Sequence, residues 1–302
     1  MSNHNQSSIN MPLIGTAVVD YSIFGGCLFL FQTLQGDVPL SAVQSVLYLT
    51  TLLNVIHARD YLYLYILPHS VTAAVKRDYC ITWWDLYFVG KQYVLFLGLT
   101  GALTAAGFFH LDPINHGNSA FSIFLQGYAI AMLKDNTGMR FLHPLMHDPL
   151  NHGKWWKIHA EHHSVHKDLR VITTFHGDWS DLILETVGGP VLYLAFLGLT
   201  GQKMSMHLFA WFGVVWMDIN SHSINPYTVL FWNPMLDYVF KANITHNLHH
   251  AFNNDPEYMM FLPLHHISTK RRQADLERYN QLMDTQVNFS LFVPTLRNRK
   301  QV

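Results

Sequence analysis

Three histidine sets constrain this chain more than any other feature. His143-Pro-Leu-Met-His147 is an i, i+4 pair, while His159-Ala-Glu-His162-His163 and His246-Asn-Leu-His249-His250 share the pattern i, i+3, i+4. On a helix that turns about 100° per residue, each set projects from one face. Three such faces converging surround a small cavity with imidazoles. At a frequency of 20 histidines in 302 residues, one such triplet arises by chance on the order of 0.1 times per chain. Two triplets and a pair exceed that. The rival reading, surface histidines in a His-rich loop, requires no phase-locked spacing.

Eight imidazoles are too many for one tetrahedral zinc, which takes four ligands, and they suit a two-metal site. Imidazole accommodates Zn, Cu, Fe and Ni, so the ligand type leaves the metal open. The two cysteines, Cys27 and Cys80, make neither a disulfide framework nor a thiolate cluster.

The remainder of the chain reads as a membrane object. Apolar residues are 50% and Asp, Glu, Lys and Arg together only 13%, against a usual charged share of roughly 25%. Such a composition excludes a disordered chain. A formal net charge of −1 gives no electrostatic case for nucleic acid. Met1–Pro12 has no Lys or Arg, so it lacks the basic start of a signal peptide. Apolar segments run over Leu13–Leu34, Val43–Ile56, Tyr61–Leu67, Tyr93–Phe109, Ala120–Leu133, Val187–Thr200 and Met204–Met217. A spanning helix needs about 20 residues, so the shorter ones are read as helix pairs with extended ends. His57-Ala-Arg-Asp60 is expected to break the second segment. The hexapeptide Phe96–Gly101 recurs at Phe196–Gly201 and is read as one helix end used twice, with Gly as stop.

The expected fold is therefore an all-α integral membrane protein, with transmembrane hairpins topped by a cytosolic helical cap that holds a dimetal site. Residues 1–133 supply N-terminal hairpins. Residues 134–302 supply the histidine region, a further membrane hairpin at about 187–217 and a basic tail. Segments 57–92 and 134–185 carry Arg59, Lys76, Arg77, Lys91 and further basic residues, which places them in the cytosol. The ending Arg299-Lys300-Gln301-Val302 looks like a dilysine-type retrieval signal of the endoplasmic reticulum, or else an ordinary basic tail.

The order HxxxH, HxxHH, HxxHH, flanked by apolar hairpins, resembles the fatty acid hydroxylase/sterol desaturase superfamily of membrane non-haem di-iron oxygenases. The specific resemblance covers roughly 134–252. It maps the metal ligands onto His143, His147, His159, His162, His163, His246, His249 and His250. A single family histidine between the second and third boxes is matched by His222, and one beyond the second box by His176. Asp218, Glu161 and Asp148 are near enough in sequence to orient an imidazole. The chain departs from the family in having Pro144 after the first histidine, a longer stretch between His147 and His159, and Asn253-Asn254-Asp255-Pro256 after the third box. These departures leave subfamily and substrate open. His57, His69, His110, His116, His152, His166, His207 and His265–His266 carry no metal spacing.

The resemblance implies two iron ions (zinc being an alternative in purified samples), with O2 as co-substrate and hydroxylation or desaturation of an apolar lipid: a sterol, fatty acyl chain, sphingoid base or terpenoid. Two electrons must come from outside. The chain has neither a dinucleotide-binding glycine fingerprint nor a fused haem motif, so the implied donor is cytochrome b5 with its NAD(P)H-dependent reductase. Rival readings are a histidine-rich membrane metal transporter and a zinc-dependent membrane hydrolase with Glu161 as base. Transporters place ligands near the midplane on broken helices, whereas these triplets sit in charged stretches outside the apolar segments.

Overall fold

Charge inside the apolar helices organises this fold. The computed structural model describes residues 7–35, 40–72, 80–110, 140–147, 153–165, 169–184, 206–228, 242–252, 269–290 and 292–294. Helix α1 spans Met11–Gln35, α2 Ala42–Ile66, α3 His69–Thr72 and α4 Trp83–Ala105. Then come α5 (Arg140–Met146), α6 (Lys154–His159), α7 (Leu208–Asn220), α8 (Ala242–Ala251) and α9 (Thr269–Met283). Short strands depart from a purely helical expectation. β1 (Ser7–Ile9) pairs antiparallel with β4 (Phe292–Pro294), and β2 (Phe109–His110) pairs parallel with β3 (Met206–His207).

The expected break at His57–Asp60 does not occur, because α2 runs unbroken through it. Ser41 and Gln44 form a capping box at its start, satisfying backbone donors that the first turn leaves open. Arg59 is buried, 3.0 Å from Asp20 of α1. Its guanidinium also donates to the Asn220 side chain and lies 4.6 Å over the Trp216 ring. Tyr63 donates to Asp20 at 2.7 Å. A helix tolerates buried charge when each charge meets a partner, so no break is needed.

Helix α4 likewise begins ten residues before the expected Tyr93 start. Thr82 and Asp85 make its capping box, and Lys91 is buried, donating to the Gly177 carbonyl. Arg59 and Lys91 are therefore interior partners and not the loop charges that a sidedness count assumes. The expected glycine stop also moves. α4 passes through Gly101, where a Cβ would lie 3.2 Å from Val46, so glycine serves the close approach of α2 and α4. The helix ends at Gly107, whose φ of +76° allows the closing bonds Gly107 N–H to Thr104 and Phe108 N–H to Leu103.

α2 and α4 form the most extensive helix pair, with α1 and α7 against them. One core gathers Phe24, Phe31, Leu49, Leu53, Phe96, Trp211, Phe212 and Trp216. A second gathers Tyr63, Leu64, Ile224, Tyr227, Ile244, Leu248, Tyr279 and Met283. On α2 the switch between them falls at Arg59–Asp60, so a buried polar layer separates an apolar half from a cap. Among the described residues, two helices, α1 and α4, are long and apolar enough to cross a membrane. Phe29, Leu34, Val43, Leu47 and Val94 are exposed on the outer faces of α1, α2 and α4, as lipid contact requires and water disfavours. α7 has 13 residues, about 20 Å at 1.5 Å per residue, and is too short to span alone. The expected Ala120–Leu133 and Val187–Thr200 segments, and the tail motif, lie outside the described residues.

Candidate metal centre

The three histidine sets meet beside the polar layer, whose Asp60 holds the residues next to His222. His143, His147, His159, His163 and His249 form one group of buried side chains, and His162, His222, His246 and His250 form another. Within each group the candidate ligand atoms lie within 4.8 Å of one another. The two groups touch: the His163 and His250 rings stack with centroids 4.5 Å apart. Nine of the ten predicted site residues are thus brought together.

The triplets divide by spacing. His159 and His163 share a group, and so do His246 and His250, whereas His162 and His249 cross to the other group. Residues four apart are about 40° apart around a helix and one turn along it, while the residue three on lies on the opposite flank. Each HxxHH set therefore ties both groups together. The second set is not one continuous helix. α6 ends at His159, and His162–Ser164 is a 3-10 turn, which tightens the path so that His162 faces His222 and His250.

Hydrogen bonds orient the rings. His159 Nδ1–H donates to Asp181 Oδ1 at 2.9 Å. His162 Nδ1–H donates to the His176 carbonyl and His250 Nδ1–H to the Val165 carbonyl, both at 2.9 Å. Carbonyls only accept, so these Nδ1 atoms carry the proton, and the Nε2 lone pairs of the neutral rings point into the centre. Burial, the largest cause, pushes His159, His162, His163, His222, His246, His249 and His250 down, with neighbouring imidazoles adding to the effect for His159, His163, His246, His249 and His250. His162 falls to about 4. Neutral rings at neutral pH are the metal-binding form.

The Nε2 atoms show a ligand-like spacing. His147–His159 and His159–His163 are each 3.0 Å apart, His222–His246 2.9 Å and His246–His250 3.1 Å. Nitrogens about 2.1 Å from a shared ion lie about 3.0 Å apart at right angles and about 3.4 Å apart at the tetrahedral angle. The observed edges are short enough for neighbouring rings to share one ion. His159 Nε2 contacts two such neighbours although its proton is on Nδ1, and a cation there would satisfy all three lone pairs. His249 points the same way, because both its ring nitrogens are buried with no hydrogen-bond partner among the described residues. The residues present fit a pair of imidazole-bound cations.

His176 does not join either group. Its ring Nδ1 faces the Glu161 carbonyl at 2.9 Å and its ring packs on Phe88. Its part in the centre is its backbone carbonyl on His162. Glu161 is exposed and contributes that carbonyl, not its carboxylate. Asp148 and the Asp218 side chain lie outside the described residues. The carboxylate that orients an imidazole is Asp181, 22 residues from His159 and without any spacing signal in the sequence.

The turn that carries His222 is pinned from α2. Asp60 accepts from the Ser223 hydroxyl, from Ile224 N–H at 3.2 Å and from Val171 N–H at 3.1 Å. Asn225 donates to Thr16 of α1 at 2.8 Å. Asp60 is the end of the stretch expected to break the second apolar segment.

No protein-family model matches the chain, and no curated protein or solved structure matches it significantly. Fold and site define a mostly helical protein with two helices fit to cross a membrane and two adjacent buried histidine groups able to hold metal ions.

Proposed function

We propose that the protein is a membrane-bound, O2-dependent di-iron oxygenase that hydroxylates or desaturates an apolar lipid, as its resemblance to the fatty acid hydroxylase/sterol desaturase superfamily implies. One observation carries the reading: two touching groups of five and four buried histidines, with Nε2 atoms at ligand spacing. When bound, a pair of iron ions supplies O2 activation and oxidation of an unactivated C–H bond, with two electrons from cytochrome b5 and its reductase. The chain's residues hold and tune that pair. Asp181 and the His176 and Val165 carbonyls fix the rings of His159, His162 and His250. Burial of all nine imidazoles keeps bulk water away from the reacting centre. His162, His222, His246 and His250 would hold one ion with fewer histidines than the five-histidine group offers the other, and a co-substrate would reach the pair there. The protein is read as a multi-pass protein of the endoplasmic reticulum with this centre on the cytosolic side. A transporter reading is disfavoured because the histidines lie outside α1 and α4, the two helices fit to span among the described residues.

The test is iron content and lipid profiling of cells that supply the electron donor, with wild type and His162→Ala. Wild type is expected to carry two irons and yield an O2-dependent lipid product. His162→Ala is expected to express and lose the product. A fully active His162→Ala protein overturns the assignment.

A further inference from the structure

A cavity of about 280 Å³ lies between α2, the segment before α4, the turn at 170–172 and Ile224. Its walls include Tyr61, Leu64, Ile81, Val171, Ile172 and Ile224. The polar groups that border it are already engaged. His57 Nε2 is 2.8 Å from Gln92 Oε1, Asp60 accepts from three donors, and Arg170 Nη2 is 3.9 Å from Asp85. A ligand with a charged head would have to displace one of these pairs, whereas hydrocarbon only has to leave water or lipid.

Two further observations say where that hydrocarbon comes from and what it lies beside. Of its lining, Tyr61 and Ile81 are 43% and 53% exposed, so we place its opening to the surroundings on that side. Trp83 and Trp84 follow Ile81 at the start of α4 and are 86% and 69% exposed; exposed aromatic clusters beside a spanning helix mark the membrane–water boundary. The inner wall adjoins the centre. Ile224 is two residues beyond His222, at most about 7.6 Å between Cα atoms, and Asp60 binds both Ile224 N–H and Val171 N–H. The turn from Val171 leads to the His176 carbonyl that orients His162. Both His222 and His162 belong to the four-histidine group.

We propose that this cavity receives the uncharged hydrocarbon segment of a lipid from the bilayer and holds it beside the four-histidine group. The inference rests on the oxygenase reading only for calling that lipid the substrate. Acyl chains and sterol rings share the required chemistry, and the test separates them.

Full-length protein in phospholipid nanodiscs is photolabelled with a diazirine-bearing long-chain alcohol or a diazirine-bearing sterol, and the adducts are mapped by mass spectrometry. Adducts are expected on Tyr61, Leu64, Ile81 or Ile172 with one of the two probes, which names the source. Ile172→Trp fills the cavity, and Ile81→Trp closes its mouth at an exposed position that packing does not depend on. Each is expected to cut these adducts by about tenfold, the factor that corresponds to roughly 1.4 kcal/mol of lost binding. Ile183→Trp, exposed away from the cavity, is expected to leave them unchanged. Adducts confined elsewhere, or equal in both cavity variants, overturn the proposal. Because labelling needs no turnover, cavity adducts on a protein that binds no iron would sink the oxygenase reading and leave the cavity standing.

Discussion

The five-histidine and four-histidine groups are built from one residue type and differ in what supports them. In the first, His159 leans on a carboxylate, Asp181. In the second, His162 and His250 lean on neutral backbone carbonyls, and the His222 turn depends on Asp60 of a distant helix. A carboxylate partner raises imidazole basicity more than a carbonyl does. With one more histidine as well, the first group would, on the proposed reading, hold an ion more firmly and the second would leave it more reachable. The triplets lock the groups together, so the asymmetry lies in their surroundings and not in separate domains.

The largest expected effect breaks the comparison outright. His250→Ala removes a ligand from the four-histidine group and is expected to drop iron from two per chain toward one, with O2-dependent product falling by more than about a hundredfold, beyond the loss typical of a supporting residue. Retention of two tightly held irons would show that the groups are not separate sites.

Acidification comes next. His162 sits at about 4 against an ordinary 6.5. Between these values the unfolded chain binds the proton and the folded chain does not. The His162 contribution to the stability of the metal-free protein is therefore full above about pH 6.5, falls by about 3 kcal/mol as pH drops, and levels off below about 4, while the other buried histidines continue to lower stability. Denaturant unfolding in detergent against pH measures this. In the loaded protein protons compete for Nε2, and stepwise acid dialysis is expected to release the four-histidine ion first. Simultaneous release would erase the proposed difference.

Asp181→Asn sharpens the comparison from the other side. It is expected to weaken metal binding in the five-histidine group by about 10–100-fold, read by chelator competition, with the other ion unaffected. Asp60→Asn is the smallest effect. The new amide N–H₂ would oppose the Val171 N–H, at a cost of about 1–3 kcal/mol. The expected result is partial loss of the four-histidine ion, with the five-histidine ion retained.

The eight box histidines were legible because helical phase is local: spacing alone says that i and i+4 share a face. His222 needed the resemblance as well. His176 is not brought into either group, and sequence order cannot tell whether a residue offers its ring or its carbonyl. Asp181 was missed because hydrogen bonding at 22 residues' separation leaves no periodic trace. The same limit explains α2 and α4. Hydropathy reads Arg59 and Asp60 as a break and Lys91 as a cytosolic charge outside the apolar segment, and only their partners Asp20, Asn220, Ser223 and Gly177 on other elements make them interior.

What the chain's order of residues determined by itself is short-range: apolar helices, their caps, and imidazoles in register on three segments. Tertiary structure decided how those imidazoles divide into five and four, which backbone or carboxylate group turns each ring, and why charge lies inside apolar helices. Those outcomes depend on which distant groups meet in a low-dielectric interior, where an unmatched charge or lone pair is costly, and no local pattern encodes that meeting.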